Sequence, residues 1–553
     1  MPNTPPSTSR PPYRVWLGRV ADHLHKYPDD HPIQIALRTY VLGLFLSLGP
    51  PVITFAISSR VRKKGLQSLL RAFKRELNVT GFAFAMTVAV GGGAALQKIW
   101  QLSAADDLSL GLITLPKCVP CVTFNRTKEW LSKLKGSHKT FLSYAASASV
   151  AITLLQYPTV RSPRWKGRPS ATLDLSLLLL VRAIDSIVRS KVLPSPSEAS
   201  TKEEKDKART KRQRQSMTLD AFVFWACSAR IMWCFFYEPE RLPHSYNKWI
   251  MSIANIDPRI LGALRAIRSG GWSYIRRFSS QPDMVTSLSH DIGYPPIWGD
   301  ISRIPAYGGP SAQATWEELG VKTRSGLGGL PCELVHGGVV GSSCIANAWV
   351  RGVYAFAEAL ALYLPVHILP ILLTRPRKLL RVSELLNTLL NVLRSASFLS
   401  TFVSSIWITV CLTRTLLLAR LMPWISHDFW DGPFGCTFAG SLACGASIWI
   451  EKGQRRGEMS LYVLPRAIRA CLSDRFLKMG KGVRLCERAA FVLSFATLMT
   501  AAWHGQDSLR GLSRWTLAFI INGPNAGFWK QKRQDTRPST PNIPPPSRPC
   551  SEQ

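Results

Sequence analysis

Charge is absent from five long stretches of this 553-residue sequence. Thr39–Ser59, Leu77–Gln97, Thr140–Val160, Ser395–Thr413 and Pro433–Ile450 contain no Asp, Glu, Lys or Arg over 18 to 21 residues each. A helix of about 20 uncharged residues is what ~30 Å of hydrocarbon requires. A soluble domain spreads its charges, so five such gaps exclude that class and imply a polytopic membrane protein. Acidic residues are also scarce, 34 against 69 Lys and Arg. The surplus cations sit between apolar runs, as in the seven from Arg60 to Arg75, in "RSPRWKGR" and in "RPRKLLR". Basic residues beside membrane helices face anionic headgroups at roughly 1 kcal/mol each. The expected partner is therefore a bilayer with anionic headgroups, with no nucleic acid. HExxH, GxSxG and Walker patterns are missing, and "SGLGGL" has no strand before it, so these motifs offer no hydrolase or nucleotide site. The first residues, "MPNTPPSTSRPPYR", lack the apolar core of a cleavable signal peptide. The 12 cysteines are scattered, several within apolar runs, unlike a secreted disulfide framework. An intracellular organelle membrane is expected, with the Asn125 sequon unused.

Further apolar segments lie at Ala221–Tyr237, Ala359–Thr374 and Ala489–Gln506, and arginine-bearing ones at Leu175–Val188 and Met459–Leu472. The fold class expected is all-α, with about 8–10 membrane helices. Part of the sequence occurs twice. "DLSLLLLVRAI" (174–184) and "EMSLYVLPRAI" (458–468) share six of eleven positions. Upstream of each, small residues recur four apart: Ala145, Ser149 and Thr153 in one copy, Ala439, Ala443 and Ser447 in the other. That spacing lets membrane helices approach closely. Each copy is expected to be a hairpin of a small-residue helix, a basic turn and a second helix. Its polar tip would comprise Asp174 and Arg182 in the first copy and Glu451, Arg455, Arg456, Glu458 and Arg466 in the second. Asp174 and Glu458 fall in a first helical turn, where the dipole favours negative charge. Arg182 has Asp185 within reach at i+3, and Arg466 has no acid within a turn, so its partner is expected elsewhere.

The expected organisation is a polar N-terminus (1–32), a first membrane half (33–252) with a charged loop at 195–216, and a connector (253–331). A second half (332–525) and a Pro-rich tail (526–553) follow. In the connector, Ile260, Leu264 and Ile267 form one face of a helix suited to a membrane surface, and the Gly/Pro/Ser-rich remainder is expected to be loop. "PCELVHGGVVGSSC" brings Cys332, His336 and Cys344 within thirteen residues, so they are candidate metal ligands, with a redox pair and a plain polar turn as the competing readings. Cys118 and Cys121 form a lone CxxC, a weak redox signal. His25 and Asp30 have a spacing similar to membrane acyltransferases, without the accompanying phosphate-binding block.

The motifs "PCELVHGGVVGSSC", "ALYLPVHILPILL", "LRSASFLSTF", "IEKGQRRGEMSLYVLPRA" and "DSLRGLSRWTLAFIING", in that order, resemble the transmembrane protein 135 family. "DAFVFWACSARIMWCFFYEPERLPHSYNKWI" resembles that family's other half. The likeness covers roughly residues 65–250 and 331–523, with the Cys/His-led half second here and first in animal members. Its hairpins are similar to those of the mitochondrial inner-membrane import proteins. The resemblance implies an all-helical, non-enzymatic protein of mitochondrial or peroxisomal membranes, without a cofactor, concerned with membrane dynamics or lipid handling. Organelle-dynamics proteins and a second copy of the chain are the protein partners it brings into view. A transporter or translocase-like pore is the alternative, and a lipid-modifying enzyme using His25 and Asp30 a more distant one.

Overall fold

The uncharged runs fold as helices, because in hydrocarbon a helix is the one local structure that satisfies its own backbone. A computed structural model describes residues 27–57, 66–104, 134–161, 169–191, 202–374, 381–477, 480–505 and 508–523. The first half contains α1 (Pro32–Ile57), α2 (Leu66–Glu76), α3 (Phe82–Ala104), α4 (Gly136–Arg161), α5 (Leu173–Lys191) and α6 (Lys202–Tyr237). After it come α7 (His244–Ala254), α8 (Pro258–Ser269), α9 (Asp283–Asp291) and α10 (Pro310–Glu318). The second half contains α11 (Cys344–Thr374), α12 (Val382–Cys411), α13 (Cys436–Cys444), α14 (Gly453–Cys471), α15 (Lys481–His504) and α16 (Gly511–Asn522). Among the described residues, six segments are long and apolar enough to cross a membrane: Pro32–Ile53, Phe82–Leu102, Asp206–Tyr237, Cys344–Leu369, Val382–Leu421 and Gly482–His504. The protein is thus an all-α multispanning membrane protein. Large apolar side chains such as Phe45 on α1 and Trp349 on α11 remain exposed, as a lipid-facing surface requires.

The two halves repeat one packing order. In the first, α1 packs on α3 and α3 on α4; in the second, α11 packs on α12 and α12 on α13. The expected hairpins are corrected at this point. Instead of pairing closely with each other, α4 and α5 both pack on α15, and α13 and α14 both pack on α6. The first half therefore sends α6 into the second, and the second sends α15 into the first. One core joins Tyr144, Ala148 and Ile152 of α4 to Phe491, Phe495 and Met499 of α15. The other joins Phe235 of α6 to Phe398 and Trp407 of α12 and Val463 of α14. The repeated helices α5 and α14 cross where the halves meet, and the matched residues Ser176, Leu177 and Ala183 are buried like Ser460, Leu461 and Ala467.

The region expected as charged loop is helical from Lys202 onward, forming the N-terminal end of 36-residue α6. Glu203 and Glu204 occupy its first turn, where the dipole stabilises them. The connector is also a folded unit. Trp272, Tyr274, Val285, Trp298, Trp316 and Leu334 form its own core, and a short antiparallel hairpin pairs Trp272 with Ser279 and Ser273 with Phe278. Asp257 caps α8 by accepting from the Arg259 backbone N–H at 2.8 Å, and Pro258 opens the helix. The apolar face of α8 packs on the protein, with Ile260 and Leu261 buried, and the helix covers the end of α6. Arg265 donates to the carbonyls of Phe236 (3.1 Å) and Phe235 (3.3 Å), and Arg268 to that of Tyr237 (3.1 Å). These are terminal carbonyls that a helix leaves without intrahelical partners.

Candidate functional site

The repeated sequence supplies ion pairs between the halves. Arg182 of α5 donates to Glu458 of α14 at 3.0 Å, and Arg469 of α14 donates to Asp174 of α5 at 2.7 Å. Each copy's acid is thus held by an arginine from the helix that carries the other copy. Asp185, the expected partner of Arg182, is held by Arg189 (3.3 Å) and Arg510 (3.1 Å). Arg466 stands where Arg182 does in the repeat, yet it packs its guanidinium over the rings of Tyr462 (3.8 Å) and Tyr246 (5.3 Å). Buried Glu451 accepts from Ser395 Oγ at 2.8 Å and lies 3.6 Å from Arg455. Arg456 donates to the carbonyls of Glu451 and Trp449.

The small-residue faces are turned relative to expectation. Ala145 is half-buried, but Ser149 and Thr153 are exposed, each hydroxyl bonding back to its own helix. The packing face of α4 is instead Tyr144, Ser147, Ala148 and Ala151. In the second copy Ala439 and Ala443 are half-buried and Ser447 is buried.

Beside Tyr246 and Tyr462, the rings under Arg466, lies a cavity of about 350 Å³ between α6, α7, α12 and α14. Phe224, Ile231, Ile250, Phe402, Val403 and Trp407 are among its apolar walls. Trp249 and Tyr462 at its rim are exposed. Tyr363, Glu458 and Met459 also line a second cleft of about 420 Å³ whose other walls include His367, Asn391, Ser395 and Arg455. An apolar chamber therefore adjoins a cleft of mixed lining that carries the Arg455 guanidinium, with the Glu458 carboxylate at the junction. Such a pair of compartments fits an amphipathic molecule, tail in one and charged head in the other.

The second constellation is compact. His336, Cys344 and Cys411 have their ligand atoms within 4.8 Å of one another, all buried. Cys332 joins Cys344 and Cys411 in one buried cluster. The sequence reading found three of the four and missed Cys411, because it lies 67 residues beyond Cys344, at the far end of α12. His25 and the Cys118/Cys121 pair lie outside the described residues, and Asp30 is exposed. A buried polar knot also went unread: Arg414 grips Asp431 at 2.6 and 3.1 Å, Tyr274 donates to Asp431 at 2.9 Å, and Asp428 accepts from Ser273 Oγ and the Tyr274 backbone N–H, both at 2.7 Å. This knot fastens the 258–331 unit to the bundle.

Residues 332–472 match the family model of the N-terminal cysteine-rich region of Transmembrane protein 135. The stretch runs from Cys332 through α14 and includes the second copy of the repeat, so the family resemblance stands there. A region described as N-terminal in that family begins here at residue 332. No curated protein and no solved structure matches the chain.

Proposed function

We propose that this membrane protein, whose second half carries the cysteine-rich region of Transmembrane protein 135, handles lipid in a mitochondrial or peroxisomal membrane, without covalent chemistry. An acyl chain occupies the cavity between α6, α7, α12 and α14, and an anionic headgroup lies in the adjoining cleft near Arg455. The observation carrying this reading is the junction of the two compartments at Tyr363, Glu458 and Met459. The energetics suit exchange with a bilayer. A methylene moved from water into apolar surroundings contributes ~0.8 kcal/mol, but moving from lipid tails into an apolar cavity gains little. Selectivity then falls to the headgroup, and loading and release stay near balance.

The test is mass spectrometry of lipid retained by the detergent-purified chain. Wild type should carry an anionic lipid. Val403→Trp, which fills the apolar chamber, should lose most of it while keeping its thermal transition. Arg455→Gln should shift the retained lipid toward neutral headgroups. A Val403→Trp protein that keeps the same lipid in the same amount would sink the proposal, as would wild type free of lipid after mild extraction.

A further inference from the structure

We propose that Cys332, His336, Cys344 and Cys411 form a closed structural site for one zinc ion. The four residues come from three places that the fold brings to one level. Cys332 opens a short turn of helix and His336 follows four residues later. Cys344 is the first residue of α11, and Cys411 is the last of α12. Because α11 and α12 pack as a pair, the start of one and the end of the other meet beside the 332–344 loop.

The spacing suits the ion. With Zn–S of about 2.3 Å and Zn–N of about 2.0 Å, tetrahedral angles put ligand sulfurs about 3.8 Å apart, and sulfur and nitrogen about 3.5 Å apart. Cys411 Sγ is 3.9 Å from His336 Nε2. His336 Nε2 and the sulfurs of Cys344 and Cys411 are mutually within 4.8 Å. Cys332 stands outside that mutual set; its thiol contacts Cys344, and as the fourth ligand it closes onto the ion when metal binds.

Two features outside the ligand set point the same way. The Gly341 carbonyl, 2.7 Å from His336 Nδ1, can only accept, so Nδ1 carries the proton and Nε2 turns its lone pair toward the sulfurs. Three thiolates and a neutral imidazole around Zn²⁺ leave one net negative charge, and fully buried Arg324 lies beside it. Its guanidinium is 3.9 Å from Cys332 Sγ and 3.0 Å from Thr415 Oγ1, which is itself 3.4 Å from Cys332 Sγ. Arg351 donates to the His336 carbonyl at 2.8 Å and to those of Ala254 and Asn255. Binding releases the three thiol protons to solvent, and no electron changes hands. With four protein ligands and no open position, the ion cross-links the loop to α11 and α12.

The experiment uses the full chain, purified in detergent under reducing conditions without a polyhistidine tag. Elemental analysis should find about one zinc per chain. Loading with Co²⁺ should give the visible bands of tetrahedral cobalt and a thiolate charge-transfer band in the near ultraviolet. Cys411→Ala and Cys344→Ala should abolish stoichiometric metal. Should these variants fail to fold, titrating wild type with a mercurial should release the zinc as its cysteines are modified. A wild-type chain without metal that takes up neither Zn²⁺ nor Co²⁺ overturns the proposal. So do cobalt spectra without thiolate bands, or, in protein extracted without reductant and with free thiols blocked, an intact mass short of two hydrogens from a disulfide among these cysteines.

Discussion

At the scale of single residues, the polar knot between the 258–331 unit and the bundle fixes how folding answers to acid. His427 is fully buried, with Nε2 3.5 Å from Arg324 and Nδ1 4.0 Å from Asp431. Burial, then the Arg324 charge, push its pKa well below 6.5, and Arg414 adds to them; Asp431 pulls the other way without prevailing. Folded His427 is therefore neutral where the unfolded chain would accept a proton. A group with a depressed folded pKa contributes stability that is present above its unfolded pKa and lost as pH falls. The loss from His427 thus begins near pH 6.5, with a slope of up to about 1.4 kcal/mol per pH unit for one proton. Asp431 acts lower down: burial raises its pKa, but the Arg414 charge and hydrogen bonds outweigh this and hold it at about 2. Its contribution disappears only as pH falls from about 4 toward 2. His427→Gln should therefore flatten the decline of the thermal midpoint between about pH 6.5 and 5 relative to wild type. Parallel curves for the two proteins would show that His427 does not govern that interval.

At the scale of elements, close approach depends on glycine. A methyl added at Gly43 of α1 would lie 2.9 Å from the Ala83 Cα of α3, and one added at Gly91 of α3 would lie 2.8 Å from the Ala36 Cβ of α1. Backbone and short side chains occupy both places, so neither neighbour can swing aside. Gly49, on the same helix, has open space. Gly91→Ala should cost roughly 1–3 kcal/mol through overpacking. Gly49→Ala should be neutral or stabilising by up to about 1 kcal/mol, since alanine favours helix. Thermal unfolding in detergent distinguishes them, and equal midpoints would remove the close-contact account of α1 and α3. This is also the scale at which the sequence was legible in part. Uncharged runs identify helices because desolvating charge in lipid is costly anywhere on a helix, so composition alone carries that signal. The repeat was legible because its matched Ser, Leu and Ala residues are buried in both copies. The packing face of α4 was not, because a small residue every fourth position marks several faces of a helix rich in Ala and Ser, and only the neighbour selects one. The core of the connector was hidden for another reason: Trp272, Trp298 and Trp316 are separated by Gly, Pro and Ser and fall on no helical or strand period. Cys411 escaped because its partners become neighbours only when α11 and α12 pair.

At the scale of the whole molecule, the exchange of α6 and α15 decides what holds the halves together. A chain of two self-contained bundles would meet at a surface; here each core lacks a wall unless the other half provides it. The cross-half pairs of Arg182 with Glu458 and Arg469 with Asp174 register that exchange, but partly exposed pairs contribute only about 0–1 kcal/mol each. Most of the cohesion must come from the packing of Phe491, Phe495 and Met499 against α4. The arrangement has a covalent test. Ser186 of α5 and Ser508, just past α15, have their hydroxyl oxygens 2.9 Å apart, a separation that lets cysteines at both positions meet disulfide geometry with small adjustment. With a protease site inserted between Lys191 and Lys202, cleavage yields one fragment ending after α5 and another beginning before α6. After oxidation, Ser186→Cys combined with Ser508→Cys should keep the cleaved fragments together on a denaturing gel until reductant is added, while wild type and either single variant separate. If the double variant separates as readily as wild type, α15 does not lie against α5, α6 and α15 each close their own half, and the crossing of α5 with α14 would need another explanation.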